Sequence, residues 1–308
     1  MRLEQLRAFA EIVRRDLSVS RAAAALNVPQ PAVSRHLRAL EREFGVELFV
    51  RQQKRLRGLT RPGKAILEVA MRMLDDAGTL AKIARDFSEE DTGSLTVATT
   101  HTQARYALPD VVRRFAQRYP KVRLMLRQGT PAEVTALVAS GEADVCIGSE
   151  YAQERGALAF FRCYSMERIV LTPLGHPLLR VRKLSLETLA RYPVITYDAP
   201  FIGRFKLERA YAEKGLTPNI VLSAIDTDVI KAYVELGLGI AIIASLAYDP
   251  ARDTNLRAID ASHLFEPNTI HLGVRRGDYL SGYMLDFIAM FAPHLDRRTV
   301  TRGVSGTR

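Results

Sequence analysis

Apolar and polar positions alternate along the first fifty residues at the spacing of amphipathic helices. Apolar residues three or four positions apart predict a first helix over residues 3–13. An alanine-rich run at residues 21–26 predicts a second helix, since alanine has the highest helix propensity. Asn27, Val28 and Pro29 interrupt it before a third helix begins. We therefore predict two short helices joined by a tight turn within residues 18–49, with the first helix completing a small core.

The third helix, which begins near Gln30, separates an apolar face from a polar one. Val33, Leu37 and Leu40 share the apolar face, and Gly45 supplies the stop. The opposite face carries amide, hydroxyl and guanidinium groups: Gln30, Ser34, Arg35 and Arg38. Such groups reach base edges and phosphates when a helix enters the major groove of DNA. The alternative is an ordinary helical hairpin with a solvated face.

A short β-hairpin with a basic tip is predicted next, because the largely apolar residues 46–50 precede a basic run at 51–57. Such a wing would lie along the sugar-phosphate backbone and add affinity rather than sequence choice. Residues 1–64 contain 14 Lys and Arg against 6 Asp and Glu, and so carry +8 of the net charge of +10. This segregation favours a polyanionic partner. The predicted DNA contacts are Ser20, Gln30, Pro31, Ser34, Arg35, Arg38, Arg51, Lys54 and Arg55.

A single long helix is predicted after the hairpin, with Thr60 as its cap and Pro62 in its first turn. Small or apolar residues recur along it in alternating steps of four and three, as in a coiled coil: Ile66, Ala70, Met73, Ala77, Leu80, Ala84 and Phe87. This period favours pairing with a copy of the same helix, and a dimer would present two recognition helices to two half-sites. We predict dimerisation through Ile66, Ala70, Met73, Ala77 and Leu80. The alternative is a helix packed on its own domain.

The pattern changes after the largely polar residues 88–93, where strands and helices alternate. Apolar, β-rich runs predict eight strands, at residues 95–98, 122–126, 145–148, 169–173, 194–197, 220–224, 240–244 and 270–274. Helical patterns lie between most of them, at residues 108–119, 132–140, 205–214, 228–236 and 280–291. This alternation is typical of an α/β fold with parallel sheets. We predict two lobes, with the cleft between them as the default ligand site.

The segment that follows the first of these strands and opens a helix is rich in hydrogen-bond donors. Thr99, Thr100, Thr102 and Gln103 place three hydroxyl groups and an amide where backbone N–H groups lack partners. Such uncharged donors suit a small anion or a carboxylate. Helix capping would account for one of the threonines. We therefore predict a binding site here, and assign no role to His101.

Composition excludes several other classes of protein. The 308 residues are 47% hydrophobic and 25% charged, as in a globular protein, and no run of about 18 apolar residues predicts a membrane span. The N-terminus carries Glu4 and Glu11, unlike a signal peptide, so we expect a cytoplasmic protein. Cys146 and Cys163 lie in apolar surroundings and are expected to fill the core. Six scattered histidines give no catalytic or metal-binding spacing, so we predict no enzyme, no metal and no cofactor.

Nearly the whole chain resembles the LysR-type transcriptional regulators. In the first sixty residues the resemblance is carried by RAAAAL at 21–26, QPAVSR at 30–35 and GVELF at 45–49. The remainder is similar to the branch of CysB and Cbl, through ATTHTQARYALP at 98–109, DTDVIKAYVELGLG at 226–239 and FAPHL at 291–295.

The resemblance implies a winged helix-turn-helix, a linker helix that dimerises, and a two-lobed effector domain similar to periplasmic binding proteins. On this basis we assign residues 1–59 to the DNA-binding domain, 60–90 to the linker helix and 93–308 to the effector-binding domain. Lobe I is expected at about residues 93–163 and 269–295, and lobe II at about residues 164–268.

The resemblance also implies a function. Regulators of this branch activate genes for sulfate uptake, cysteine synthesis or sulfonate use, and they assemble as tetramers. Their effectors include sulfate- or thiosulfate-type anions and acetylserine-type inducers. The implied partners are double-stranded promoter DNA, such an effector and further copies of the chain, with RNA polymerase as a candidate and no membrane. Two alternatives stay open: a solute-binding protein of a transport system, which would need a secretion signal and no basic head, and a LysR-type regulator of an unrelated pathway.

Matched position by position, Thr100, Thr102 and Gln103 correspond to the anion-binding residues of the first lobe, and Ser149 replaces a threonine while keeping the hydroxyl. In the recognition helix, Pro29 replaces the serine or threonine that usually caps it.

Two further departures concern the second lobe. Ile202 stands where the branch has a hydroxyl that reaches the ligand, and Met166 replaces a tryptophan near the same pocket. We therefore expect an apolar second lobe, weak binding of free sulfate, and a preference for an effector with an anionic end and an apolar or larger body.

Overall fold

The computed structural model describes residues 1–53, 55–88, 92–149, 156–199 and 201–306, with residues 81, 82 and 85–88 described by their backbone alone. Contacts divide the chain into two compact units, residues 1–84 and residues 85–308. In the described ranges, no helix combines the length and the apolar character that crossing a membrane requires.

Three helices and a hairpin form residues 1–59, which we call the head. The helices are α1 (Leu3–Arg14), α2 (Val19–Ala25) and α3 (Gln30–Phe44), and the antiparallel strands are β1 (Phe49–Gln52) and β2 (Arg55–Leu59). Asn27 lies in the turn between α2 and α3 with a φ of 52°, which the short polar side chain of asparagine tolerates. Phe9 and Phe49 meet edge to face in the buried core, with ring centroids 5.4 Å apart. The predicted helix-turn-helix and wing are confirmed.

The long helix α4 (Arg61–Ser88) begins where the capping pattern predicts. The Thr60 hydroxyl accepts a hydrogen bond of 2.9 Å from the backbone N–H of Gly63 and donates one to the backbone oxygen of Glu47. A Cβ atom at Gly63 would collide with the backbone oxygen of Leu48, so this position needs glycine. The start of α4 is therefore fixed directly against the head.

The predicted dimer seam divides into two parts along α4. Ala70 is 2% exposed within the core of the head, and Ile66 is half-buried against that core. These two residues therefore contribute to their own domain, as the alternative interpretation has it. Ala77 is half-buried, whereas Met73 and Leu80 are 37% and 67% exposed. An apolar strip thus remains for a second copy, and dimerisation through it remains a prediction.

We predict that Leu80→Asp reduces the size of the assembly, because a buried helix–helix contact does not tolerate an unpaired charge. The domain itself should stay folded, since Leu80 is 67% exposed. Light scattering measures the mass, and Thr79→Asp, on the neighbouring position of the same helix, is the matched control. An unchanged mass for Leu80→Asp would show that the strip does not pair.

Residues 93–306, which we call the body, contain two sheets. The strands are β3 (Gly93–Thr99), β4 (Val122–Gln128), β5 (Val145–Ser149), β6 (Leu158–Met166), β7 (Arg168–Pro173), β8 (Pro193–Tyr197), β9 (Asn219–Ala224), β10 (Ile240–Ala244), β11 (Leu256–Asp260) and β12 (Asn268–Arg275). The helices are α5 (Leu108–Arg118), α6 (Pro131–Ala139), α7 (Leu186–Leu189), α8 (Ile202–Ala212), α9 (Thr227–Glu235), α10 (Gly282–Phe291) and α11 (Arg297–Ser305). Lobe I is built on the sheet β4-β3-β5-β12-β6, and lobe II on the sheet β11-β7-β10-β8-β9.

Both sheets are mixed, so the expectation of parallel sheets is wrong. In lobe I, β3 is parallel to β4 and β5, but β12 is antiparallel to β5 and β6. In lobe II, β8 is parallel to β9 and β10, but β7 is antiparallel to β10 and β11. The antiparallel strands are those that join the lobes, because β6 leads into β7 through Glu167 and β11 leads back to β12. A strand that changes sheet does not return through a crossover helix, which the alternation pattern assumes.

Candidate functional site

The recognition helix α3 keeps its two faces in the structure. Val33, Leu37 and Leu40 are buried, at most 3% exposed. Ser34 is half-buried, and the other described side chains predicted to contact DNA are exposed: Ser20, Gln30, Pro31, Arg35, Arg38, Arg51 and Arg55. Lys54 lies outside the described residues. The set therefore forms an accessible polar surface, and its contacts with DNA remain a prediction.

Arg51 differs from the other basic residues of this surface because it is paired. Its Nη2 donates a hydrogen bond of 2.8 Å to Oε2 of Glu41, whose Oε1 accepts the backbone N–H of Leu48. This pair ties the wing to α3, so Arg51 positions the wing. Among the described residues, Arg35 and Arg55 make no ion pair, which leaves their charges available to DNA.

One small cavity between the lobes gathers most of the predicted effector residues. Thr100, Thr102, Gln103, Ser149 and Met166 all line it. The other lining residues are Arg168, Tyr197, Phe201, Gly203, Ala244 and Asn268. Ile202 does not line it, although both of its neighbours do, and the expectation that Ile202 faces the ligand remains a prediction. The volume is about 30 Å³, small beside the roughly 300–1,000 Å³ of typical ligand pockets.

The donor-rich turn supplies fewer free donors than its sequence suggests. The Thr99 hydroxyl donates to the backbone oxygen of Ile147 at 2.9 Å, so it serves the sheet. Gln103 is 1% exposed, and both polar atoms of its amide are already engaged. Its Oε1 accepts a hydrogen bond from the Tyr164 hydroxyl, and its Nε2 donates to the sulfur of Met166 at 3.3 Å. Thr100, 7% exposed, faces the cavity without a side-chain partner among the described residues.

A chain of hydroxyl groups joins the two lobes beside the cavity. The Thr102 hydroxyl lies 3.0 Å from that of Thr227, which lies 2.8 Å from the hydroxyl of Tyr197. Thr102 belongs to lobe I, and the other two residues belong to lobe II. Thr102 therefore lines the cavity and also contacts lobe II.

The cavity also contains a buried charge that the sequence pattern did not predict. Arg168, the first residue of β7, is 2% exposed, and its Nη2 has no hydrogen-bond partner in the part of the chain that the structure describes. Burial lowers the pKa of the Arg168 guanidinium. Asn268, 5% exposed, also has an unpartnered Oδ1. The expected uncharged donors of lobe I line this cavity, but lobe II adds a charged group, so the expectation of an apolar second lobe is wrong here.

A second set of contacts holds the lobes together at the start of α9, and we call it the latch. Asp228 accepts hydrogen bonds from the Tyr106 hydroxyl and, at 3.2 Å, from Nε of Arg105. Burial alone would raise the pKa of the Asp228 carboxyl, but these two donors hold it below its usual value. Burial and the neighbouring Asp228 raise the pKa of Tyr106. Lys231 lies over the Tyr106 ring, 5.3 Å from its centroid, and pairs with Asp253 at 2.6 Å.

His101 joins the latch, although its sequence position suggested no role. Its Nε2 lies 2.9 Å from Oδ1 of Asp226 and 3.6 Å from Oδ2 of Asp228. Across the described ranges, these three side chains form the one group with metal-ligand types in reach of each other. Both carboxylates are already engaged, because Asp226 accepts the backbone N–H of Asp228, and Asp228 accepts Arg105 and Tyr106. His101 of lobe I therefore lies against the carboxylates at the start of α9 in lobe II.

Comparison with known protein families now assigns both units. Residues 3–64 match the family described as "Bacterial regulatory helix-turn-helix protein, lysR family", and residues 88–296 match "LysR substrate binding domain". The chain belongs to the LysR family of transcriptional regulators.

Curated relatives of this LysR-family protein match it over almost its full length. The transcriptional regulator SsuR of Burkholderia cenocepacia is 47% identical over 300 residues, which cover 97% of each chain. The regulator CysB of the same organism is 42% identical, over 99% of this chain and 98% of the relative.

Solved structures agree with this assignment. The cofactor-binding domain of the Cbl transcriptional regulator is 42% identical, with a TM-score of 0.68 over 71% of this chain and 96% of that chain. Full-length OxyR from Pseudomonas aeruginosa has a TM-score of 0.70 over 95% of this chain and 94% of that chain, at 22% identity, which supports the fold alone.

We predict that Arg35→Ala in this LysR-family protein lowers the selectivity for a target promoter over random duplex by about 1–3 kcal/mol, because the outer face of α3 reads base edges. Arg55→Ala, in the wing, should weaken both binding reactions alike and flatten the salt dependence by about one unit. Fluorescence anisotropy at several salt concentrations measures both effects. Full selectivity in Arg35→Ala would contradict the assigned recognition face.

Proposed function

We propose that this LysR-family protein controls genes of sulfur assimilation, for sulfate uptake, cysteine biosynthesis or sulfonate use, in response to a small anionic or acetylserine-type effector. The observation that carries the proposal is the convergence of Thr100, Thr102, Gln103 and Ser149 on one cavity. These are the positions at which the chain resembles the anion site of the CysB and Cbl branch. The identities of 42–47% with CysB, Cbl and SsuR support the same branch.

The contacts of the cleft suggest how an effector would act. Thr100 and Ser149 offer hydroxyls from lobe I, while Arg168 and Tyr197 approach from lobe II. A ligand that contacts both sets binds the closed arrangement more tightly than an open one, so it shifts the population towards closure. The body is joined to the head through α4. We propose that a conformational change of the bodies in a dimer alters how the two heads bind two DNA half-sites. The proposed assembly is a tetramer made of two dimers that each pair through α4, with RNA polymerase as a further partner.

Two other functions are less well supported. A transport-type binding protein shares the two-lobed body, but it has no use for a head whose exposed α3 face and wing carry Arg35, Arg38 and Arg55. A LysR-type regulator of an unrelated pathway would have the same head and cleft. Only the identity of its target genes would distinguish it from a regulator of sulfur assimilation.

The decisive experiment compares transcripts of wild-type and deletion strains grown on sulfate, on cysteine or on an alkanesulfonate as the sulfur source. We expect transcripts of sulfur-uptake and cysteine genes to lose their response to the sulfur source in the deletion strain. A strain carrying Thr100→Val should behave like the deletion strain in this response, while the purified variant retains its affinity for promoter DNA. Sulfur-source responses that survive the deletion unchanged would contradict the proposal.

A further inference from the structure

We infer that Arg168 is the residue that matches the negative charge of the effector, and that the effector is a small oxyanion held between this guanidinium and the first turn of α8. The inference rests on the proposed effector site and names the ligand chemistry that this site selects. It reverses the expectation from the sequence that free sulfate binds weakly and that a larger body is preferred.

The first observation is a buried cation that has no counter-charge within the described ranges. Arg168 is 2% exposed, lines the cavity, and makes no ion pair with any described residue. Its Nη2 contacts no acceptor. Arginine does not give up its proton near neutral pH, so it cannot relieve this burial by becoming neutral. A buried, unpaired charge is strongly unfavourable, and an anion or an opening of the cleft relieves it.

The second observation is an uncapped helix start at the same place. α8 has 11 residues, and its N-cap residue Phe201 provides no side-chain acceptor. Phe201 and Gly203 line the cavity together with Arg168. The first backbone N–H groups of a helix and its dipole favour an anion. The guanidinium of Arg168 and the first turn of α8 therefore both border the same cavity from lobe II.

Gly203 makes this approach possible. A Cβ atom at this position would collide with Nη2 of Arg168. Its φ lies outside the left-handed region, so backbone strain does not explain the glycine. The missing side chain instead leaves room for the guanidinium beneath the first turn of α8.

Size and polarity restrict the ligand further. The cavity of about 30 Å³ has no room for a nucleotide-linked sulfate in this arrangement of the lobes. Beside Arg168 the lining includes Thr100 and Ser149, whose side chains carry hydroxyl groups. Hydroxyl and guanidinium donors on several sides suit a compact tetrahedral oxyanion, such as sulfate, or the head group of a short sulfonate.

The test uses the full-length protein, with titration calorimetry and thermal unfolding in sulfate, in methanesulfonate and in dimethyl sulfone, which is a neutral compound of similar shape. The wild type should bind both anions and be stabilised by them, but not by dimethyl sulfone. Arg168→Met should lower the affinity for the anions roughly tenfold to a hundredfold, the usual effect of losing a hydrogen bond to a charged group. The melting temperature of ligand-free Arg168→Met should equal or exceed that of the wild type, because an unpaired charge has been removed.

Three further variants keep the inference falsifiable if Arg168→Met folds poorly. Arg168→Lys keeps the charge and should retain part of the anion affinity. Gly203→Ala keeps the arginine but displaces its guanidinium, so it should also weaken anion binding. Ile202→Thr should change little, since Ile202 does not line the cavity.

Several results would overturn the inference. They are a wild type that binds neither anion, equal binding of dimethyl sulfone, or an Arg168→Met variant that melts lower without ligand yet binds sulfate normally. The last result would assign Arg168 a purely structural role. Failure here is distinguishable from failure of the proposed function, because transcripts could respond to sulfur source while Arg168→Met binds sulfate normally. The opposite outcome, charge-dependent anion binding with unrelated target genes, would leave the role of Arg168 standing.

Discussion

The guanidinium of Arg168, buried between two lobes and without a counter-charge among the residues that the structure describes, is the group on which we propose that the state of the cleft depends. The hydroxyl chain from Thr102 to Tyr197 and the latch at Asp228 stabilise the closed arrangement. The unpaired charge opposes it. A ligand that pairs with this charge removes the opposing contribution, and hydrogen bonds to charged groups are worth about 1.5–3 kcal/mol each. That difference corresponds to roughly a tenfold to hundredfold shift between open and closed populations.

The short segment between β3 and α5 lies at both the cavity and the latch. Thr100 and Gln103 line the cavity, while Arg105 and Tyr106 hold Asp228 on the opposite lobe. Residues 103–107 form a π-helical turn between β3 and α5, a local irregularity that is frequent at functional sites. One short segment therefore lines the cavity and also contacts the other lobe, so a ligand in the proposed site would act directly on the contacts between the lobes.

The local features of the fold were predictable from the sequence, and the long-range ones were not. The buried stripe of Val33 and Leu40 and the cap at Thr60 follow from neighbouring residues, and each predicted apolar run in the body lies in a strand. Strands β6 and β11 were missed because polar residues interrupt their apolar positions, as in LAFFRCYSM and LRAID. The mixed sheets were missed because two connections change lobe.

The site shows the same division. Thr100 and Gln103 were predicted from a donor-rich segment. Asp228 and Tyr106 are 122 residues apart in the sequence, so no local sequence pattern predicts their hydrogen bond. The one sequence feature that could have pointed to Arg168 is a single arginine at the start of the apolar strand RIVLTP. Ile202, the position inferred from resemblance, lies between two residues that line the cavity. The most direct measurement of the account is a crystal structure of the full-length protein grown with selenate, whose selenium scatters anomalously. We predict an anomalous peak in the cleft beside Arg168, with a selenate oxygen within hydrogen-bonding distance of Nη2. A cleft that binds selenate elsewhere, with Arg168 paired to a carboxylate of the chain, would contradict it.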